Sequence, residues 1–230
     1  KPKSLNKPRL YIYITLVNSM IPLILRLKKA SHKEIALGQD IIIKELYAVF
    51  ERAVLHGGTG IWRCYHGTRF SEDIDVYIPR DLKKIDVLFN LLQKKGFTIL
   101  KKRIREQSLY STLQFNRVEI RFEALFLSVS NILKDYETVD GQFLPIYTLS
   151  PELFVKEKVA AYLSRKKIRD LYDIFFLMPL IQDKKFVFQE LSLLIQNFIP
   201  AIDEEDLRVF ILEGVAPTSE DMLASLKRWL

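Results

Sequence analysis

The sequence predicts an α+β protein, a mixed β-sheet with flanking helices followed by a C-terminal helical region. Three observations predict it. Short stretches of apolar and polar alternation, broken by turn residues, recur between residues 53 and 149. Three of these stretches follow one another with no helix between them, unlike a doubly wound sheet. From Ser150-Pro151-Glu152 onward only helical periodicity remains. Two units are therefore expected: residues 1–149, an α/β part with an N-terminal helical lead-in, and residues 150–230, a helical part.

The elements follow in order. Residues 10–25 are uncharged and lie between Arg9 and Arg26. This run of 16 residues is shorter than the roughly 20 that a spanning helix needs, and it contains Asn18, Ser19 and Pro22. It has the outline of a signal peptide, but Lys28 and Lys29 follow it where small residues would mark cleavage. A strand over 10–17 and then a helix is expected, with no stable membrane insertion. Residues 31–50 read as a helix, with Ile35, Ile42, Leu46 and Val49 near helical spacing. Ala53-Val54-Leu55 is a short strand running into Gly57-Gly58-Thr59. Residues 73–78 alternate and end at Pro79, so they form a strand. Residues 81–95 are helical and stop before Gly96. Residues 97–103, 109–115 and 117–125 are successive strands. Asp140-Gly141 marks a turn, and an extended piece runs on to Leu149. Ser150 is an N-cap with Pro151 at the first helical position. Helices are expected at 151–165, 167–178, 184–197, 203–212 and 219–229.

Composition narrows the function classes. Of 230 residues, 49% are hydrophobic and 27% charged, which excludes a disordered chain. A single Cys cannot form an internal disulfide, which points to a cytoplasmic setting. His32, His56 and His66 have no zinc-ligand spacing. Cys64 reads as a packed thiol, and Trp62 and Tyr65 as wedges fixing a short helix to the sheet. The net charge is +7, distributed as +11 over residues 1–180 and −4 over residues 181–230. A basic surface suits a polyanionic partner. Lys94, Lys95, Lys101, Lys102, Arg103 and Arg105 put six cations and no acid into twelve residues. Such a tract either contacts a phosphate backbone or blunts an edge strand. Strand alternation sends its members to opposite faces. Tyr110 and Phe115 nearby could stack on bases or pack in the core.

The informative stretch runs from His56 to Val76: strand, glycine turn, short helix, loop, strand. Two glycines at a strand end let the backbone approach a phosphate closely, and the following helix start and the Thr59 hydroxyl can bind it. Asp73 and Asp75 are two apart on a strand and share one face, while Ile74 and Val76 point to the core. Adjacent carboxylates repel unless a cation sits between them. Mg²⁺ prefers carboxylate and phosphate oxygens, which with a triphosphate is the setting for two-metal nucleotidyl transfer. A third carboxylate is expected from the strand at 117–125, where Glu119, Arg121 and Glu123 alternate with Val118, Ile120 and Phe122. Glu119, flanked by apolar residues, is the expected general base or third metal ligand, with Glu123 in reserve. Singly, a Gly-Gly is usually a turn and an Asp-x-Asp a solvated strand face. Together at this spacing they indicate a site.

Gly57-Gly58-Thr59 followed by Arg69, Ser71 and Asp73-Ile74-Asp75 resembles the polymerase-β-like nucleotidyltransferases, most closely the AbiEii/AbiGii type toxin branch with its GGT…R-x-S-x-D-I-D signature. The resemblance implies a minimal nucleotidyltransferase sheet, metal binding by Asp73 and Asp75, and phosphate binding by Gly57, Gly58 and Thr59. It also implies that Arg69 and Ser71 hold the loop or the nucleotide. A second stretch fits the same family's Lys…Arg…Arg-Asp-x-x-Asp pattern: Lys158, Arg165, Arg169, Asp170 and Asp173. Lys158, Ala161, Tyr162 and Arg165 share a helix face. By resemblance Lys158 is catalytic and contacts the triphosphate, Arg165 or Arg169 assists it, and Asp170 and Asp173 position these cations or the acceptor. Read without the first motif, this stretch is a helical hairpin held by surface salt bridges worth little.

These readings imply an enzyme that moves a nucleoside monophosphate from an NTP to an acceptor hydroxyl and releases pyrophosphate. Its metal is Mg²⁺ or Mn²⁺, held by Asp73, Asp75 and Glu119. The resemblance implies an RNA 3′ end, tRNA above all, as acceptor, and a toxin restrained by a protein antitoxin. Two other readings stay open: transfer to a protein or small molecule, and a nucleotide-binding module without catalysis.

Overall fold

The structure, a computed structural model, describes residues 21–230. The strand expected at 10–17 lies outside them, and the helix expected after it is described only as the turn α1 (Leu23–Arg26). A seven-stranded mixed sheet follows in the order β3-β4-β5-β2-β1-β7-β6. Its strands are β1 (Val54–His56), β2 (Ile74–Tyr77), β3 (Thr98–Ile104), β4 (Ser108–Phe115), β5 (Val118–Leu125), β6 (Ile132–Glu137) and β7 (Phe143–Thr148). β2 runs antiparallel to β1 and parallel to β5, and β1 is parallel to β7. The short central strands β1 and β2 are buried by their neighbours, which suits their apolar Leu55, Ile74 and Val76.

Helix α2 (Ala30–Val49) buries Ile35, Ile42, Ile43 and Leu46 along one stripe. Helix α4 (Leu82–Lys94) buries Ile85, Leu88, Phe89 and Leu92, one stripe at helical spacing, and Asp81 caps it by accepting from the Lys84 N–H at 3.0 Å. Both cover the sheet face that carries Leu109, Leu113, Ile120 and Phe122. Phe89 meets Phe122 edge to face at 6.3 Å. Alternation then turns Tyr110, Thr112, Glu119, Arg121 and Glu123 to the opposite face.

β6 was not expected. Its segment lacks apolar alternation because it is an edge strand, with Leu133, Lys134 and Asp135 exposed. It forms a hairpin with β7 around the Asp140-Gly141 turn, where the Thr138 N–H donates to the Gln142 carbonyl at 2.8 Å.

Beyond Ser150 the described chain is helical apart from its connections: α5 (Pro151–Arg165), α6 (Ile168–Leu177), a 3₁₀ turn (Met178–Leu180), α7 (Lys184–Gln196), a 3₁₀ turn (Glu204–Asp206), α8 (Leu207–Phe210) and α9 (Ser219–Trp229). The helix expected at 203–212 is two short turns that stop at Phe210. There the chain becomes extended and pairs with the motif loop: the Phe70 N–H donates to the Phe210 carbonyl at 2.8 Å, and the Leu212 N–H to the Thr68 carbonyl at 2.8 Å. The buried core is continuous across residue 149, from Val76 and Phe122 through Phe154 and Leu171 to Leu191 and Met222. Among the described residues no helix is long and apolar enough to cross a membrane.

Candidate active site

β1 ends at His56, and helix α3 (Gly57–Cys64) starts at once, so the two glycines are the first turn of the helix rather than a separate loop. Gly57 has φ +68°, and a Cβ there would sit 2.1 Å from Asp75 Oδ2. A Cβ at Gly58 would meet Arg69 Nη2 and Ser71 Oγ, each at 2.6 Å. The glycines thus let the carboxylate and the motif loop close onto the helix start. Thr59 departs from expectation. Its side chain is fully buried, and its hydroxyl donates to the Asp73 carbonyl. It fixes the loop that carries Asp73 and does not face the cleft. Gln39 supports the same loop by donating to the Ser71 carbonyl at 2.9 Å.

The cleft beside them has a volume of about 150 Å³ and is lined by Gly58, Arg69, Ser71, Asp73, Asp75, Arg121, Glu123, Lys158, Arg165 and Arg169. It joins both motifs, though they lie some hundred positions apart. Strand register decides its carboxylates. Asp75 pairs with Glu123 on β5 and with His56 on β1. Glu119 pairs with Gln114 and is exposed. It shares a face with Glu123 but lies four residues, about 13 Å, further along the strand. The expectation for Glu119 is corrected here: Glu123 stands beside Asp75. The alternation of β5 identifies the face, and only its parallel pairing with β2 identifies the residue.

The carboxylates are under electrostatic load. Burial, with a further contribution from Asp73, pushes the Asp75 carboxyl above its ordinary value, although His56 opposes the rise. Burial and then Asp75 push Glu123 up as well. Asp73 is turned onto Arg121, which donates from Nε to Oδ1 at 2.8 Å and from Nη2 to Oδ2. Sequence reasoning recognised the face of Arg121 but not this pairing. Among the described residues no three acidic or histidine side chains close around a metal position. The donor set nevertheless fits a hard divalent cation: three carboxylates converge on one cleft, and two of them are raised by burial and mutual repulsion. Arg121 would have to release Asp73 for all three to bind one.

The opposite wall is a ladder of charges. Arg69 forks onto Asp173, with Nε to Oδ1 at 2.5 Å and Nη2 to Oδ2 at 2.6 Å. Lys158 Nζ lies 2.7 Å from Asp173 Oδ2 and 3.5 Å from Asp170 Oδ1. Arg165 forks onto Asp170 at 2.7 and 2.8 Å. The Asp170 and Asp173 side chains are 0% and 1% exposed, so they hold cations in place and do not face an acceptor. Burial alone would raise Asp173, but Arg69 and Lys158 outweigh it and hold the carboxyl below its ordinary value. Arg165 stays 46% exposed, available to a ligand.

His56 stacks on Tyr77, with centroids 4.0 Å apart, and its Nδ1 lies 3.2 Å from Glu157 Oε2. The Tyr77 hydroxyl donates to the other Glu157 oxygen at 2.5 Å. Glu157, next to Lys158 on α5, was missed; no local signal separates it from a solvated helix acid. Cys64 is buried, and burial pushes its thiol up to about 12, as a packed thiol requires.

A family model described as nucleotidyl transferase AbiEii toxin, type IV toxin–antitoxin system, matches residues 44–209, which include both motifs. No curated relative matches the chain in sequence. Several solved structures share the fold, among them these two. One is the nucleotidyltransferase toxin MenT4 from Mycobacterium tuberculosis, at 18% identity and a TM-score of 0.56, over 87% of this chain and 82% of that one. The other is JHP933 from Helicobacter pylori, at 16% identity and a TM-score of 0.62, over 88% of this chain and 91% of that one. At these identities the likeness is one of fold.

Proposed function

Because the chain belongs to the AbiEii nucleotidyltransferase toxin family, we propose that it transfers a nucleoside monophosphate from an NTP to the 3′-hydroxyl of an RNA, tRNA above all, and that a protein antitoxin restrains it. The observation that carries this reading is the convergence of Asp73, Asp75 and Glu123 on one cleft with Lys158, Arg165 and Arg169. The acceptor hydroxyl gives its proton to a carboxylate of the cleft as its oxygen bonds to the α-phosphorus, the bond from that phosphorus to the oxygen bridging to the β-phosphate breaks, and pyrophosphate leaves.

Asp73, Asp75 and Glu123 would hold a divalent cation, Mg²⁺ or Mn²⁺, which when bound supplies positive charge between the carboxylates and the phosphates. Lys158 is fixed by Asp170 and Asp173 before any nucleotide arrives, so little reorganisation accompanies binding. Arg165 and Arg169 add charge at the same wall for the leaving pyrophosphate. Ser71 lines the same cleft, where its hydroxyl can meet a phosphate oxygen. At about 150 Å³ the cleft takes phosphates rather than a whole nucleotide, so the base and sugar lie outside it.

Incubation with each labelled NTP, Mg²⁺ and either total RNA or total protein tests the reading. Label in RNA is expected. Label only in protein or a small molecule removes the RNA acceptor, and NTP binding without any transfer removes the reaction. The corrected carboxylate has its own test. Glu123→Gln is expected to lower transfer about 100-fold, while Glu119→Gln changes it less than twofold. Equal rates for the two variants would contradict the assignment.

A further inference from the structure

The basic tract at 94–105 is divided by the fold. Lys102 points to the helical face, 2.8 Å from Asp86 and over the Phe89 ring. Lys95 pairs with Glu45 at 3.3 Å. Lys101, Arg103 and Arg105 go the other way. All three are exposed, none has a carboxylate partner among the described residues, and with Ser108 and Tyr110 they line a shallow depression of about 290 Å³. Lys101 Nζ lies 5.1 Å from the Tyr110 ring centroid.

This depression leads to the carboxylates. Arg103 pairs with Tyr110, Tyr110 with Glu123, and Glu123 with Asp75, so one row of side chains crosses four strands on one face. At one interstrand spacing per step, Tyr110 stands roughly 10 Å from Asp75 and Arg103 roughly 15 Å. Lys101, Arg103 and Arg105 repeat about every 7 Å along β3 and into the turn.

We propose that this face of β3 and β4 is the acceptor platform, which holds the phosphates of a single-stranded RNA and stacks a base on Tyr110 while the strand's 3′ end reaches Asp75. The proposal rests on the RNA-acceptor reading above and adds where and in what form the RNA binds. A line of evenly repeated cations without carboxylate partners among the described residues suits a polymer of evenly repeated negative charge. An aromatic ring among them suits unpaired bases, whose faces are free to stack.

The test uses the full chain and a fluorescently labelled single-stranded RNA 12-mer with a free 3′-hydroxyl, followed by anisotropy without NTP. In the triple variant K101Q/R103Q/R105Q the dissociation constant is expected to rise more than tenfold, and the salt slope to fall by about 2, at roughly 0.7 per charge removed. Tyr110→Ala should weaken binding about tenfold with the slope unchanged. Lys102→Gln, from the same tract but the other face, should leave RNA binding as it was, and NTP affinity should be unchanged in all variants, which shows that they fold. An unaltered slope and affinity in the triple variant would overturn the platform, as would a wild-type chain that does not bind the 12-mer. If label enters RNA equally in the wild type and the triple variant, the platform falls and the nucleotidyltransferase reading stands. If label enters only protein, the RNA acceptor falls first.

Discussion

Asp75→Asn is expected to lower nucleotidyl transfer by about 10³-fold or more while leaving the chain folded. Asp75 lies between Asp73 and Glu123 in the cleft, against the first turn of α3. Asparagine keeps its shape, so the close packing on Gly57 is preserved. It removes the charge that would hold a cation, and that cation's stabilisation of phosphoryl charge is worth several kcal/mol, hence the expected factor. The variant should also be at least as stable as the wild type. A carboxyl raised by burial weakens the native state as pH rises through its folded value. Replacing it with a neutral group removes the penalty. A rate assay with a thermal melt checks both parts. Undiminished transfer would end the assignment of Asp75 to catalysis.

Asp173→Asn has the largest expected effect on stability, a loss of about 3–5 kcal/mol. The side chain is 1% exposed and takes the Arg69 fork and the Lys158 ammonium together. Without it, two cations stay in a buried place with one remaining acid, Asp170, already committed to Arg165. The pH dependence follows from the depressed carboxyl. Its contribution is complete above the ordinary aspartate value near 3.9 and is lost as pH falls through the lower folded value. Urea unfolding at pH 7 and at pH 3 measures both. A loss under about 1 kcal/mol at pH 7 would show that Asp173 is dispensable to the ladder. Arg69 comes from the motif loop and Asp173 from α6, so this pair also fastens the sheet to the helical region.

Most of the fold was legible because its signals are local. The start of α5 follows from Ser150 as N-cap and Pro151 at the first helical position. The buried stripe of α4 and the alternation of β4 and β5 are likewise written in residue spacing. β6 was missed because Leu133, Lys134 and Asp135 are exposed in succession and Tyr136 and Glu137 buried in succession, so no alternation marks it. The end of α8 was misplaced because a partner far away in sequence, the loop at 68–70, captures its backbone.

The site divides in the same way. Asp73, Asp75 and the two glycines are recognisable from their spacing, and Lys158 and the Arg-Asp pairs from their resemblance to the family's second motif. Three further decisions belong to tertiary structure. Glu123 rather than Glu119 meets Asp75, because the parallel register of β5 on β2 sets which residue of a strand face stands opposite. Thr59 faces the loop backbone rather than a phosphate, because the start of α3 is buried. Asp170 and Asp173 hold Lys158, Arg69 and Arg165 rather than an acceptor, because α5 and α6 pack them out of water, where only paired charges persist. The sequence by itself determined the chemistry available, carboxylates on one strand face and cations on one helical hairpin. Which of them meet was decided by pairing register and burial, which depend on contacts between residues far apart in the chain.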